Sequence, residues 1–187
     1  MKKYAFILFF LLIIGAANAQ LSSLENMPEG STPEEVGSRL GRHFISGKHL
    51  LYGGKWIHYA EVCTWYGALK YAEIAGDKEL IQLLRKKFEP FFSTEKQLLP
   101  IKNHVDLNMF GCLPLELYQV MKDKRYLELG LPYADTQWEV PEDAKPEEKA
   151  WAEKGFSWQT RLWIDDMYMI TIGLPSDRRL EIYRKGS

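Results

Sequence analysis

Residues 56–88 read WIHYAEVCTWYGALKYAEIAGDKELIQLLRKKF. Apolar side chains at Ile57, Ala60, Cys63, Trp65, Leu69, Ala72 and Ile74 return at steps of mostly three and four, the period of a helix with a buried stripe. Gly76-Asp77-Lys78 breaks the run and Glu79 to Phe88 resumes it, so the stretch reads as two helices joined by a tight turn. The same design returns further on. Met109 to Met121 is apolar at helical spacing, Lys122-Asp123-Lys124 stands where Gly76-Asp77-Lys78 stood, and Arg125 to Leu131 opens a partner helix. Asp123 follows Asp77 by 46 residues. One such hairpin cannot bury its own apolar stripe, but stacked copies can, in an open solenoid or a closed α/α toroid. The expected fold class is all-α.

Upstream, residues 20–54 are rich in Ser, Gly, Pro and charge and read as a lead-in arm. Within it Pro33 to Phe44 has a short helical pattern, with Ser31 or Thr32 as N-cap before Pro33, Glu34 and Glu35. The first nineteen residues have a basic start at Lys2-Lys3, an uncharged apolar run from Tyr4 to Ile14, and small residues at Ala17 and Ala19, the layout of a secretory signal peptide cut before Gln20. The expected protein is therefore exported, to the periplasm or the medium, and the apolar run is too short to stay as an anchor. Downstream, Glu139 to Lys154 carries Pro141, Pro146 and many charges and reads as an exposed loop. Gly173 to Ser187 breaks the apolar pattern of Met167 to Ile172 abruptly and reads as an atypical tail, out of frame with the gene before it.

With 46% apolar and 13% aromatic residues the chain can bury a substantial core, and a formal net charge of −1 gives no electrostatic reason for a nucleic acid or an anionic membrane as partner. Cys63 and Cys112 sit in apolar helical contexts, where two buried thiols and an inter-helix disulfide are both open. No phosphate loop, paired-cysteine site or His-Glu-x-x-His helix occurs, so neither a metal nor another cofactor is expected.

The remaining candidates for chemistry are carboxylates among large apolar side chains. They lie in His104-Val105-Asp106-Leu107-Asn108 and in Trp163-Ile164-Asp165-Asp166-Met167-Tyr168-Met169. Burial disfavours an ionised carboxylate and raises its pKa toward the range useful to a general acid. A structural reading stands beside the chemical one: Asp106 as the N-cap of the helix that follows, and Asp165 and Asp166 in the positively polarised first turn of another.

These two motifs, with Gly111, Leu115-Glu116-Leu117-Tyr118 and the Gly76-Asp77-Lys78 turn, resemble the unsaturated rhamnogalacturonyl and unsaturated glucuronyl hydrolases of glycoside hydrolase families 105 and 88. The resemblance covers about Trp56 to Ile172. It implies an α/α toroid of six hairpins, of which this chain holds roughly the first half. It also implies a substrate, an oligosaccharide ending in an unsaturated uronic acid, and an unusual reaction. An aspartate protonates the C4=C5 double bond, water adds at C5, and the resulting hemiketal opens to release the sugar. Asp165 matches the family's acid/base and Asp106 its second aspartate, with Asp166 behind them. Trp158, Arg161 and Trp163 fit a sugar platform and a cation facing the substrate carboxylate, though core packing or a surface ion pair fits them as well. His58 and Tyr59 begin the first inner helix near the family's pocket wall, where a satisfied surface histidine is the other reading.

Two further readings compete with an exported enzyme or its remnant. One is a non-catalytic helical-repeat module that binds glycan or protein. The other is a fragment that self-associates to cover apolar helix faces.

Overall fold

The computed structural model describes residues 27–172. The expected signal peptide and the atypical tail lie outside these residues. Contacts divide the chain into two units, one up to Leu40 and one from Gly41 onward. The start of α1 (Pro33–Ser46) lies in the first and is capped by Thr32: its hydroxyl accepts from Glu35 N at 3.2 Å, and the Glu35 carboxylate accepts from Thr32 N at 3.1 Å. This reciprocal pair satisfies two of the N–H groups that a helix start leaves open.

The second unit holds the core. A short antiparallel hairpin, β1 (Leu51–Tyr52) and β2 (Trp56–Ile57), turns through Gly53 and Gly54 at φ 53° and 74°, values that glycine adopts without strain. Trp56 and Ile57 are thus strand, not the start of the first long helix, because His58 caps that helix. His58 Nδ1 accepts from Ala60 N at 3.1 Å and α2 (Tyr59–Ala75) begins there. α2 ends at left-handed Gly76, and Asp77 caps α3 (Lys78–Phe88) by accepting from Leu80 N at 2.9 Å. After three 3-10 turns and α4 (Val105–Asn108), the device recurs: α5 (Cys112–Met121) ends at left-handed Lys122, and Asp123 caps α6 (Lys124–Thr136). α6 runs through Pro132, past the expected start at Arg125 to Leu131.

α2 packs on α3, α5 on α6, and α2 on α5, so the two hairpins lie side by side. The repeat brings equivalent positions together. Lys70 Nζ reaches Glu116 at 2.5 Å, and Cys63 Sγ lies 3.9 Å from Met109 Sδ. Both cysteines are free thiols, and burial pushes the Cys63 thiol up. The core is aromatic: Trp65, Phe88, Phe91, Phe110 and Tyr126 are all at most 1% exposed, with Phe88 ring centroids 5.2–5.8 Å from each of the other four. Edge-on and offset contacts of this kind are the favourable ones for aromatic rings.

The second hairpin closes through two glycines. A Cβ on Gly130 would stand 2.6 Å from Leu115 Cγ and 3.2 Å from the Gly111 carbonyl oxygen. Overfilling a packed contact costs about 1–3 kcal/mol, which lowers the melting temperature by about 5 °C in a domain of this size. A Gly130→Ala chain is therefore expected to melt earlier by circular dichroism. An unchanged melting temperature would mean that α5 and α6 part freely.

Ahead of the β-hairpin, His49 is held between two carboxylates, with Nδ1 at 2.5 Å from Glu61 Oε1 and Nε2 at 3.2 Å from Glu95 Oε2. The second Glu61 oxygen accepts from Leu50 N. Only the imidazolium can donate to both carboxylates at once. The Glu61 hydrogen bond raises the His49 pKa; burial and Lys87 oppose it, the Glu61 and Glu95 charges add to it, and the balance is upward. A raised folded pKa gives stability that is complete below the unfolded value of about 6.5 and is lost as pH climbs through the folded value. His49→Gln is thus expected to cost roughly 2 kcal/mol at pH 6 and progressively less above neutrality. Melting curves across that range check it; a gap independent of pH would contradict it.

The segment 139–154, read as a loop, contains α7 (Pro146–Glu153). Pro146 fixes the first helical φ, and Glu148 accepts from Lys145 N at 2.8 Å, so the charges that looked like a solvated loop are in part a helix start.

Candidate active site

α8 (Ile164–Ile172) packs on α4, so the two carboxylate motifs meet. At α4 the cap is His104, not Asp106: His104 Nδ1 accepts from Asp106 N at 3.2 Å, and Asp106 stands in the first turn with its carboxylate free to look outward from the helix. That carboxylate accepts from Arg161 Nη2 at 2.9 Å and Nη1 at 3.5 Å. The same guanidinium donates to Asp166 Oδ1, from Nε at 3.0 Å and Nη2 at 2.5 Å. Arg161 thus ties the start of α4 to the start of α8.

Asp166 is fully buried and also gathers the backbone before its helix, accepting from Arg161 N at 2.6 Å and Trp163 N at 3.4 Å. Between them Leu162 sits at φ 58°, a left-handed conformation that costs a side-chain-bearing residue about 1–2 kcal/mol. The Asp166 cage holds it there, consistent with strain persisting only where surrounding structure over-determines it. Burial works against ionising Asp166, but the Arg161 hydrogen bonds and charge, with the Trp163 amide, outweigh it and hold the carboxyl below the ordinary range. Asp166 is thereby an anion at neutral pH. Asp165, its neighbour, is exposed in the first turn of α8.

Arg161 also stacks on Trp163, with the guanidinium carbon 4.2 Å from the ring centroid and the indole 57% exposed. Trp158 is buried, and its Nε1 donates to the Thr136 carbonyl at 2.7 Å, which anchors the segment before α8 to the end of α6. Trp158 and Arg161 line a polar cleft of about 390 Å³ together with His104, Lys145, Glu148, Trp151 and Gln159. A second hollow of about 380 Å³ is apolar and lies along Trp138, Phe156, Leu162, Trp163 and Met167.

His58 and Tyr59 stand on the β-hairpin side. The His58 ring stacks on Tyr52 at 3.9 Å and lies tilted against Tyr59 at 4.6 Å, so His58 is both cap and aromatic spacer. Burial chiefly pushes the Tyr52 hydroxyl up to about 12, and the Asp106 charge adds to the rise while Arg161 opposes it. Sequence reasoning passed over Trp151, Lys145, Gln159 and Asn108. The first two were hidden in the presumed loop, where Pro146-Glu147-Glu148 was the signal of a helix. Among the described residues no three His, Cys, Asp or Glu side chains converge on a metal position.

Arg161 thus holds Asp106 and Asp166 together at the starts of two packed helices, next to a cleft lined by Trp151 and Trp158 whose lining includes neither carboxylate. The chain belongs to glycosyl hydrolase family 88, whose family model matches residues 42–174. The match begins ahead of the β-hairpin, so His49 and Tyr52 fall within the family region. Its all-α hairpin architecture is that of the six-hairpin glycosidases. No curated protein and no solved structure matches the chain.

Proposed function

We propose that this family 88 domain is exported and acts on oligosaccharides ending in an unsaturated uronic acid, by hydrating the C4=C5 double bond. The observation that supports it most is Arg161 drawing Asp106 and the α8 start together beside the polar cleft. Asp166 is held as an anion and spends its oxygens on the turn, which makes it a brace and leaves Asp165 as the proton carrier. Asp165 delivers a proton to C4, water adds its oxygen to C5 and returns a proton to the site, and the hemiketal opens to release the sugar. Asp106, ion-paired to Arg161, orients the water. All three Arg161 nitrogens already face Asp106 or Asp166, so the substrate carboxylate is met at the cleft by Lys145 rather than by a free guanidinium.

The assay is loss of the absorbance of the conjugated double bond in an unsaturated uronyl disaccharide. It is run on the purified chain. Absorbance that falls with time supports the reading. Release of reducing ends from a saturated disaccharide with the unsaturated one untouched would contradict it.

A further inference from the structure

Asn108, two residues beyond Asp106 on α4, and Gln159, two residues before Arg161, share one hydrogen bond: Asn108 Nδ2 donates to Gln159 Oε1 at 2.8 Å. Asn108 is fully buried and Gln159 is 7% exposed in the wall of the polar cleft. Two amides that face each other can close a ring of two hydrogen bonds. Here one is made and the other is open, leaving Asn108 Oδ1 and Gln159 Nε2 buried and without a hydrogen-bond partner among the described residues. A buried donor or acceptor left unpaired costs about 1–3 kcal/mol, so such groups call for an occupant. The wall that holds them is braced. Ser157 Oγ donates to the Gln137 carbonyl at 2.8 Å, Gln159 N donates to Ser157 Oγ at 3.3 Å, and Trp158 is tied to Thr136.

We infer that the Asn108 and Gln159 amides form a subsite that reads one hydroxyl group of the bound sugar, closing the open half of the pair. A hydroxyl is the group that fits, because it donates to Asn108 Oδ1 and accepts from Gln159 Nε2 at the same time. A carboxylate would meet the Asn108 oxygen as a second acceptor, and an ammonium would leave the Gln159 donor unpaired. Both amide atoms are covered in the structure, so the hydroxyl enters with a side-chain adjustment of the kind common on binding. The inference rests on the reading of the cleft as a sugar site and adds a specificity that the aspartates do not supply.

The test is calorimetric binding of an unsaturated uronyl disaccharide and its monodeoxy derivatives to the wild-type chain and to Gln159→Met, which keeps length and removes the donor. Wild type is expected to bind one monodeoxy derivative roughly 5- to 150-fold more weakly than the parent, the range that 1–3 kcal/mol spans. Gln159→Met is expected to bind the parent more weakly by a similar factor and to lose that discrimination. A role confined to holding the wall would lower the melting temperature and leave the discrimination ratio intact, which overturns the inference. Should the variant not fold, equal affinity of the wild type for every monodeoxy derivative overturns it alone. Failure of the parent to bind at all would remove the sugar-site reading as well, whereas binding without discrimination removes only the subsite.

Discussion

Replacing Arg161 with methionine is expected to lower the melting temperature by roughly 10 °C, because it leaves a fully buried carboxylate without its counterion. Removing one partner of a buried pair costs about 3–5 kcal/mol, more than the pair itself contributes, since the abandoned charge keeps its desolvation penalty. Here the loss extends to the backbone. Asp166 also holds the Arg161 and Trp163 amides around left-handed Leu162, so an Asp166 that turns toward solvent releases the turn before α8. Combining Arg161→Met with Asp166→Asn removes both charges and is expected to recover part of the loss, as coupled neighbours do in a double-mutant cycle. Thermal unfolding followed by circular dichroism measures all three variants. Additive losses would show that the two side chains do not act on each other. The pH dependence has a definite sign: Asp166 has a depressed folded pKa, so its stabilisation is complete above the unfolded carboxylate value and is lost as pH falls through the folded one.

The second large effect concerns rate. Asp165→Asn keeps the shape and removes the proposed proton donor, and general acid catalysis contributes roughly a hundred- to ten-thousandfold. Turnover of the unsaturated disaccharide is expected to fall by that factor with the helical circular dichroism unchanged, because Asp165 is exposed and braces nothing that the structure shows. Asp166→Asn is expected to act in the opposite way, through stability before rate. Equal losses from the two variants, both tracking the loss of helix, would mean that neither carries a proton.

The hairpins were legible because their signals are local. A left-handed residue followed by an aspartate cap needs only neighbours in sequence, and both Gly76-Asp77 and Lys122-Asp123 use it. The β-hairpin was not read, though Gly53-Gly54 marked its turn, because strands of two residues have no periodicity to detect. α7 was lost to its own charge, which resembles a solvated loop until Pro146 and Glu148 are seen as a helix start. The motifs around Asp106 and Asp165 were legible as apolar-embedded carboxylates, but the partners that hold them were not. Asp106 is relieved of capping by His104, and Arg161 meets it across 55 positions, a tertiary fact with no trace in spacing. The Asn108 and Gln159 pair, 51 positions apart, is of the same kind.

Hydration of the double bond and direct cleavage of the glycosidic bond leave different marks on the released sugar. Turnover of an unsaturated uronyl disaccharide in heavy water, with early product examined by mass spectrometry and proton magnetic resonance, separates the two. Protonation of the double bond predicts deuterium at C4 of the released uronate, appearing in step with the loss of absorbance. A released sugar that keeps its double bond and carries no deuterium at C4 would contradict the account.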